Sequence, residues 1–429
     1  MNPKKAAKDS GQSDISGGGL IACHECDLLH GIKPVPDGGK ALCTRCGAFL
    51  YRNIPNSLEK VLALNIAAFM LFIMANVFPF ISLKLGGRIE ENVFISGALA
   101  LYRLGMGELG VLVFLTSFLF PLLIITGTLY VLLPLKFGHR AWKMAPVYRM
   151  VQALMPWSLV AVFMLGVLIS IVKLLDLASI IPGVSLFSFV GLMVISTAAH
   201  ANMDASVIWP QMRLKSEGNG SGTTAAERDL IGCHTCGLLV PQTNPGELGH
   251  SDFCPRCGSH LHSRKANSLT RTWALIFTAS ILLIPANVLP VMTVINFGQG
   301  DPNTILSGVV HLIEAGMWVL ALIIFFASIV VPVMKLTVLS FLLVSIQKKS
   351  SWRSRDRTLL FRVTEVVGAW SMVDIYVVAI LAGLVNLDAL ATIRPGIGAT
   401  FFGAVVVITM FAAHSFDPRL IWDNTERQE

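Results

Sequence analysis

Eight apolar stretches, each about as long as a bilayer core requires, punctuate this chain, and no other feature restricts its fold as strongly. They run from Val61 to Leu83, Leu109 to Leu135, Val151 to Val172, Val184 to Met203, Trp273 to Ile295, Met317 to Ile346, Val363 to Val385 and Ile397 to Ala413. A hydrocarbon core of about 30 Å needs about 20 apolar residues of helix, because backbone amides without partners there are too costly. The fold class is therefore an all-α polytopic membrane protein. Only 14% of the 429 residues are charged and 54% are hydrophobic; a soluble domain carries about 25% charged residues. An ordinary soluble enzyme, a disordered protein and a secreted disulfide scaffold are excluded.

An even number of spans puts both termini on one side, and basic residues choose that side. Most of the 33 Lys and Arg residues fall before Lys60, between Lys136 and Arg149, between Arg213 and Arg271, between Lys348 and Arg362, and in the tail. Both termini are expected in the cytoplasm. The runs at Lys348-Lys349 and Arg353 to Arg357 read as topology signals rather than a lipid-headgroup or nucleic-acid site, and no nucleic-acid partner is expected. The first forty residues are polar and Gly-rich, so no signal peptide is expected there.

The chain repeats itself. Cys23-His24-Glu25-Cys26 recurs as Cys233-His234-Thr235-Cys236, and Cys43-Thr44-Arg45-Cys46-Gly47 as Cys254-Pro255-Arg256-Cys257-Gly258. Ala75-Asn76-Val77-Phe78-Pro79 returns as Ala286-Asn287-Val288-Leu289-Pro290. Ser96-Gly97 matches Ser307-Gly308, Pro121 matches Pro332, Trp157-Ser158 matches Trp370-Ser371, and Pro182-Gly183 matches Pro395-Gly396. Each half reads as a cysteine module followed by four helices, and four spans per half make the repeat parallel rather than inverted. The expected organisation is a disordered 1–20, a zinc ribbon at 21–52, a membrane repeat at 58–204 and a flexible linker at 205–230. A second ribbon at 231–264, a second repeat at 269–415 and a cytoplasmic tail at 416–429 follow.

The cysteine modules are spaced C-x2-C-x16-C-x2-C and C-x2-C-x17-C-x2-C, within the zinc-ribbon range. Cys23, Cys26, Cys43 and Cys46 form one ligand set; Cys233, Cys236, Cys254 and Cys257 form the other. Cytoplasmic placement disfavours disulfides, and doubled knuckles disfavour a lone redox pair. Four thiolates close the coordination shell of zinc, so two structural Zn2+ ions are expected, with no catalytic opening. His24, His30, His234 and His250 are expected at the surface rather than as ligands.

Ionisable side chains inside spans are functional candidates by default. Lys335 and Asp374 lie eleven residues from the cytoplasmic ends of neighbouring antiparallel spans, so an ion pair is geometrically available. Ser328, Ser371 and Thr409 complete a candidate polar network. The repeat maps Lys335 onto Ile124 and Asp374 onto Ala161, so this pair belongs to the second half alone. It serves either a transport path or proton relay, or helix register as a buried ion pair. Lys173 and Asp176 form a second step at the outer end of the third span. Glu314 and Glu365 sit nearer span ends and should reach interfacial water. Asn76 with Pro79, and Asn287 with Pro290, are expected to kink the first helix of each half, with Asn satisfying the carbonyl that proline frees near Ala75 or Ala286.

These residues together resemble the paraquat-inducible protein A family, including its LetA-type members, across nearly the whole chain. The doubled CxxC ribbons, the doubled Ala-Asn-Val-x-Pro, Lys173-x-x-Asp176 and Gly183-Val184-Ser185-Leu186-Phe187-Ser188-Phe189 carry the resemblance. It implies a Gram-negative inner-membrane protein that works with a periplasmic MCE-domain tunnel protein and moves membrane lipids between inner and outer membranes. No P-loop of the form G-x4-G-K-[ST] occurs, so any energy would come from protons, a gradient or another subunit. The alternative is a membrane-anchored zinc-ribbon scaffold or sensor that docks a cytoplasmic partner. An enzyme is not expected, since no nucleophile-base or HExxH motif stands at a span end.

Overall fold

The computed structural model of the chain describes residues 19–85, 88–139, 141–174, 179–203, 208–209, 223–242, 252–296, 299–314, 316–384 and 391–423. Among them eight helices are long and apolar enough to cross a membrane: Ser57–Val77, Gly107–Lys136, Met144–Val172, Val184–Ala201, Ser268–Val288, Trp318–Gln347, Ser354–Gly383 and Ile397–Ser415. We number them as spans one to eight. Four of them are not uniform α-helix. Spans two and six each contain a π turn, Leu115–Leu119 and Phe326–Val330, and spans three and seven each contain a 3-10 segment, Met155–Trp157 and Ala369–Met372.

Short strands occupy the two ends of the bundle. At the cysteine end, β1 (Leu20–Ala22) pairs with β2 (Leu29–Gly31), and β3 (Lys40–Leu42) with β4 (Phe49–Arg52). At the opposite end β5 (Ile81–Leu85) lies between β6 (Arg88–Asn92) and β7 (Ser179–Pro182), all antiparallel. In the second half β8 (Leu230–Gly232) pairs with β9 (Leu239–Pro241). There, β10 (Met292–Asn296) lies between β11 (Gln299–Asn303) and β12 (Ala391–Pro395).

The sheets at the far end correct two span boundaries. Span one was expected to reach Leu83 and span five Ile295, but the helices stop at Val77 and Val288. Residues that precede proline are driven out of the helical region, and Phe78 and Leu289 are extended, with ψ of 157° and 149°. Pro79 and Pro290 therefore terminate helices instead of kinking them, and the apolar residues that follow pair as strands. Asn76 Nδ2 donates to Phe72 O at 2.7 Å and Asn287 Nδ2 to Leu283 O at 2.9 Å, each one turn back in its own helix. The Ala75 carbonyl instead accepts from the Ser185 hydroxyl of span four, so tertiary packing supplies what the asparagine was expected to supply.

Spans one and four pack closely, as do spans five and eight. One apolar cluster then passes from Ala68, Phe163 and Phe189 of the first half to Val373, Tyr376 and Phe402 of the second, so the halves share a core. Its centre is the second segment of span seven, Val373–Leu384, which packs against the helix Ser96–Arg103 and against Val160–Leu174 of span three. Glycine sets that approach: a Cβ on Gly383 would lie 2.7 Å from Gly97 Cα.

The cysteine modules dock crosswise. Cys23, Cys26, Cys43 and Cys46 share an apolar cluster with Leu339, Phe361 and Phe416 of the second half. Cys233, Cys254 and Cys257 share one with Val61, Leu62 and Tyr148 of the first. The expected linker and tail are folded where they are described. Ala225 is buried against Leu29 and Leu239, Trp209 packs edge-on to Tyr148, and Phe416 and Ile421 are fully buried, because each carries apolar surface that the modules cover.

Candidate metal centres and membrane polar site

In each module two knuckles bring four thiols together. The backbone closes from Cys23 O to Asp27 N at 2.9 Å, from Cys43 O to Gly47 N at 2.9 Å, from Cys233 O to Gly237 N at 2.9 Å, and from Cys254 O to Gly258 N at 2.8 Å. The residue that closes each turn is left-handed, φ 63°, 72°, 70° and 67°, which is why three are glycine. Sγ separations are 3.5 Å for Cys23–Cys46, 3.4 Å for Cys26–Cys43, 3.4 Å for Cys233–Cys257 and 3.6 Å for Cys236–Cys254. These are far beyond the disulfide bond length of about 2.05 Å, and close to the edge of about 3.8 Å that four bonds of about 2.3 Å give a tetrahedron. All ligand atoms in each cluster lie within 4.8 Å of one another.

The electrostatics fit a cation. Hydrogen bonding from Cys23 holds the Cys43 thiol well below its ordinary value, and hydrogen bonding from Cys236 lowers Cys233 to about 4. The same crowding pushes Cys26 and Cys236 up. Four thiols gathered in each cluster, all buried in the first and three of four in the second, suit a divalent ion, which would deprotonate them together. His30 is not simply at the surface: its Nε2 lies 3.3 Å from Cys43 Sγ, placed to donate to a thiolate rather than to enter the ligand set. In the second cluster Ser259 Oγ lies 3.0 Å from both Cys233 and Cys257.

Charged contacts fix the first module to the second half. Arg362 of span seven grips Glu25 through two hydrogen bonds, 3.1 and 2.5 Å. Arg264 donates to Asp27 at 3.0 Å and to Asp423 at 2.6 and 3.1 Å. Arg45 lies over the Trp422 ring at 4.5 Å. Burial pushes the Asp417 carboxyl up, but the guanidinium of Arg419, bonded at 2.9 and 3.0 Å, outweighs it and holds the group at about 2.

Within the bundle the structure separates residues that the sequence grouped. Lys335 is 1% exposed, and its Nζ donates to Thr409 Oγ1 of span eight at 3.3 Å. Thr409 passes its own hydrogen to Val406 O at 2.9 Å. The lysine lies against Gly368, where a Cβ would stand 2.5 Å from Cε and 2.7 Å from Nζ. The expected ion pair with Asp374 does not form among the described residues. The 3-10 segment Ala369–Met372 stands between Gly368, which the lysine touches, and Asp374. Asp374 instead begins the next helical segment and lines a recess with Val291, Asn303 and Gly308 toward the strand end.

Ser328 donates to Ile324 O of its own helix at 2.7 Å, inside the π turn. Ser371 is buried, and its hydroxyl has no hydrogen-bond partner among the described residues. The backbone of Lys173 ends span three, but its side chain and all of Asp176 lie outside the described residues. Glu314 and Glu365 are exposed. Tyr376, which belongs to no sequence motif, is fully buried and donates to Thr116 Oγ1 of the first half at 2.8 Å. A tyrosine two residues from the intramembrane aspartate, where the first half has Phe163, was the available signal.

The sequence model for paraquat-inducible protein A matches the chain twice, over residues 58–213 and 269–426. Intermembrane transport protein PqiA of Escherichia coli is 32% identical over 419 residues, 95% of this chain and 97% of that protein. Lipophilic envelope-spanning tunnel protein A of Escherichia coli is 32% identical over 415 residues, 96% of this chain and 93% of that protein. A probable intermembrane transport protein of Haemophilus influenzae is 25% identical over 414 residues, 96% of this chain and 97% of that protein. No solved structure matches.

Proposed function

This chain belongs to the paraquat-inducible protein A family, and on that footing we propose that it is the inner-membrane component of an intermembrane lipid-transport system. Its partner in this reading is a periplasmic MCE-domain tunnel protein. The observation that carries the reading is similarity along almost the full length to two proteins named for transport and for an envelope-spanning tunnel. Both termini and both cysteine modules lie in the cytoplasm, each module holds one structural Zn2+, and the two halves arose by parallel duplication. Zinc fills its shell with sulfur and contributes folding energy, not chemistry.

The second half handles the cargo or its driving proton. A buried ammonium is costly in hydrocarbon and is retained where it works. Lys335 stands in the second half where the first has Ile124, and Asp374 where it has Ala161. The π turn of span six and the 3-10 segment of span seven pack against each other and against the helical segments that carry these residues, and broken helices at a repeat interface are where transporters place their sites. Proton gain by Asp374 alters the packing of span seven against both halves and so links protonation to the state of the bundle.

The test is lipid transfer and envelope-barrier integrity in cells that carry Lys335→Ala or Asp374→Asn. Loss of both functions at normal protein level supports the reading; two fully active variants overturn the site. Affinity purification distinguishes the partner: recovery of a periplasmic MCE protein supports the transport system, whereas a cytoplasmic protein alone favours the zinc-ribbon scaffold.

A further inference from the structure

The first cysteine module and Lys335 stand at the two ends of one packed column. Three helices run between them, and each turns one face to both ends. On span six Leu339 lies in the apolar cluster that contains Cys23, Cys26, Cys43 and Cys46, and Lys335 stands one turn deeper. On span seven Phe361 belongs to that cluster, and Gly368, seven residues on, lies against the lysine. On span eight Phe416 joins the cluster with its ring 5.0 Å from that of Phe361, and Thr409, seven residues back, accepts from Lys335 Nζ at 3.3 Å. Residues four or seven apart share a helix face, so the stripe that meets the module is in each case the stripe that meets the lysine or carries it.

An ion pair anchors this column to the module. Arg362 holds both carboxylate oxygens of Glu25, at 3.1 and 2.5 Å, and a fork of this kind fixes direction as well as distance. It sits beside Phe361 on the helix Ser354–Gly368, which is unbroken until the 3-10 segment that follows Gly368. At 1.5 Å per residue Phe361 and Gly368 are about 10 Å apart, and a close-packed interior transmits a displacement over that length instead of absorbing it. Because a Cβ on Gly368 would lie 2.5 Å from Lys335 Cε, even a small shift of this helix reaches the lysine.

The repeat supplies an internal comparison. Tyr148, Arg149 and Trp209 of the first half correspond to Phe361, Arg362 and Trp422 of the second, and they dock the second module in the same manner. Tyr148 shares a cluster with Cys233, Cys254 and Cys257. Arg256 lies over the Trp209 ring at 5.4 Å, as Arg45 lies over Trp422 at 4.5 Å. Arg149, however, donates to a backbone carbonyl, Gly258 O at 2.5 Å, and Thr235 stands where the first module has Glu25. Charged docking and a buried lysine therefore occur in the same column; among the described residues the other column has a neutral acceptor and Ile124 in their places.

We propose that the first cysteine module positions Lys335, with Glu25 and Arg362 as positioning residues that act through span seven, while the second module docks for stability alone. The proposal rests on the transport reading above for the importance of Lys335, but its test does not require transport. Docking sets how firmly the lysine is packed between Gly368 and Thr409. A module that has lost its metal or its grip on Arg362 leaves the cytoplasmic segment of span seven free to shift, and the ammonium gains room.

The full-length, detergent-solubilised protein is treated briefly with acetic anhydride, and acetylation of Lys335 is read by mass spectrometry relative to the exposed Lys348 and Lys349. Cys43→Ser and Glu25→Ala should each raise acetylation of Lys335 about fivefold, the lower end of coupling between distinct sites. Cys254→Ser should leave it at the wild-type level. Glu25→Arg combined with Arg362→Glu should return it toward that level with both metal ions retained. Should Cys43→Ser fail to fold, Glu25→Ala keeps all eight thiols and carries the test. Unchanged Lys335 acetylation in folded Glu25→Ala, or an equal rise in Cys254→Ser, overturns the proposal. If Lys335→Ala abolishes lipid transfer while Glu25→Ala leaves acetylation unchanged, the coupling fails and the transport reading stands. Raised acetylation beside a fully active Lys335→Ala variant supports the coupling and removes the lysine from transport.

Discussion

Tyr376 and Thr116, 260 positions apart in the chain, meet at 2.8 Å, with the tyrosine hydroxyl donating across the boundary between the halves. Thr116 accepts that bond while its own hydrogen goes to Leu112 O at 2.8 Å. Each group is satisfied in a place without water, so the contact fixes how the halves sit together. Tyr376→Phe should keep the ring packing and lose about 0.6 to 1.7 kcal/mol, the range of interhelical bonds in membranes. A thermal melt of the detergent-solubilised protein, with Thr116→Val as the second arm of a double-mutant cycle, measures it.

Gly368 stands where Lys335 needs room. A Cβ there would lie 2.5 Å from Lys335 Cε, and both partners are buried in a packed bundle. Gly368→Ala should therefore displace the ammonium from Thr409, at a cost of about 1 to 3 kcal/mol of overpacking, and should lower lipid transfer as Lys335→Ala does. Full activity with an unchanged melting temperature would show that the lysine has freedom this packing denies.

Metal analysis should find two zinc ions per chain, with Cys43→Ser and Cys254→Ser each removing one. Because the ligands must lose protons to bind, chelation should become easier as the pH falls. Stripping the metal should also release residues 19–52 from the spans, read as faster hydrogen exchange there.

Glu25 and Arg362 hold that same module in place. Arg362 is partly exposed, so solvent screens the pair and its worth is modest, on the order of 1 kcal/mol. Arg362→Ala should speed hydrogen exchange in residues 19–52 without loss of zinc. Slower exchange, or loss of the metal, would mean that the contact does something other than dock the module.

Asp417 gives the protein an acid limit. Its folded value of about 2 lies below the ordinary 3.8, so its contribution is complete above about pH 4 and is lost as the pH falls toward 2. That contribution is on the order of 2 kcal/mol. Asp417→Asn should lower the melting temperature clearly at pH 6, and the gap from wild type should narrow as the pH approaches 2.5.

The spans were legible because hydrophobicity over about 20 residues is a local property and the bilayer reads it directly. The cysteine tetrads were legible for a similar reason: two short knuckles at set spacing need little help from the rest of the chain. What fell beyond the sequence depended on partners distant in it. Apolar runs after Val77 and Val288 suit a helix or a strand equally well, and only pairing with β6, β7, β11 and β12 decides between them. Lys335 and Asp374 lie on neighbouring spans, yet equal spacing from the span ends does not fix rotation: Lys335 meets Thr409 and Gly368, whereas Asp374 lines the recess toward the strand end.

By itself the sequence determined a chain that must live in a membrane, in two similar halves, with two four-thiol clusters and a mid-span Lys335 and Asp374 that align with Ile124 and Ala161 in the repeat. Only the tertiary structure decided that each cysteine module rests on the opposite half, that span seven serves both halves, and that Lys335 answers to Thr409. The physical reason is reach. Hydropathy and ligand spacing act over a few turns of chain, whereas the direction of a side chain depends on which helix happens to stand across from it.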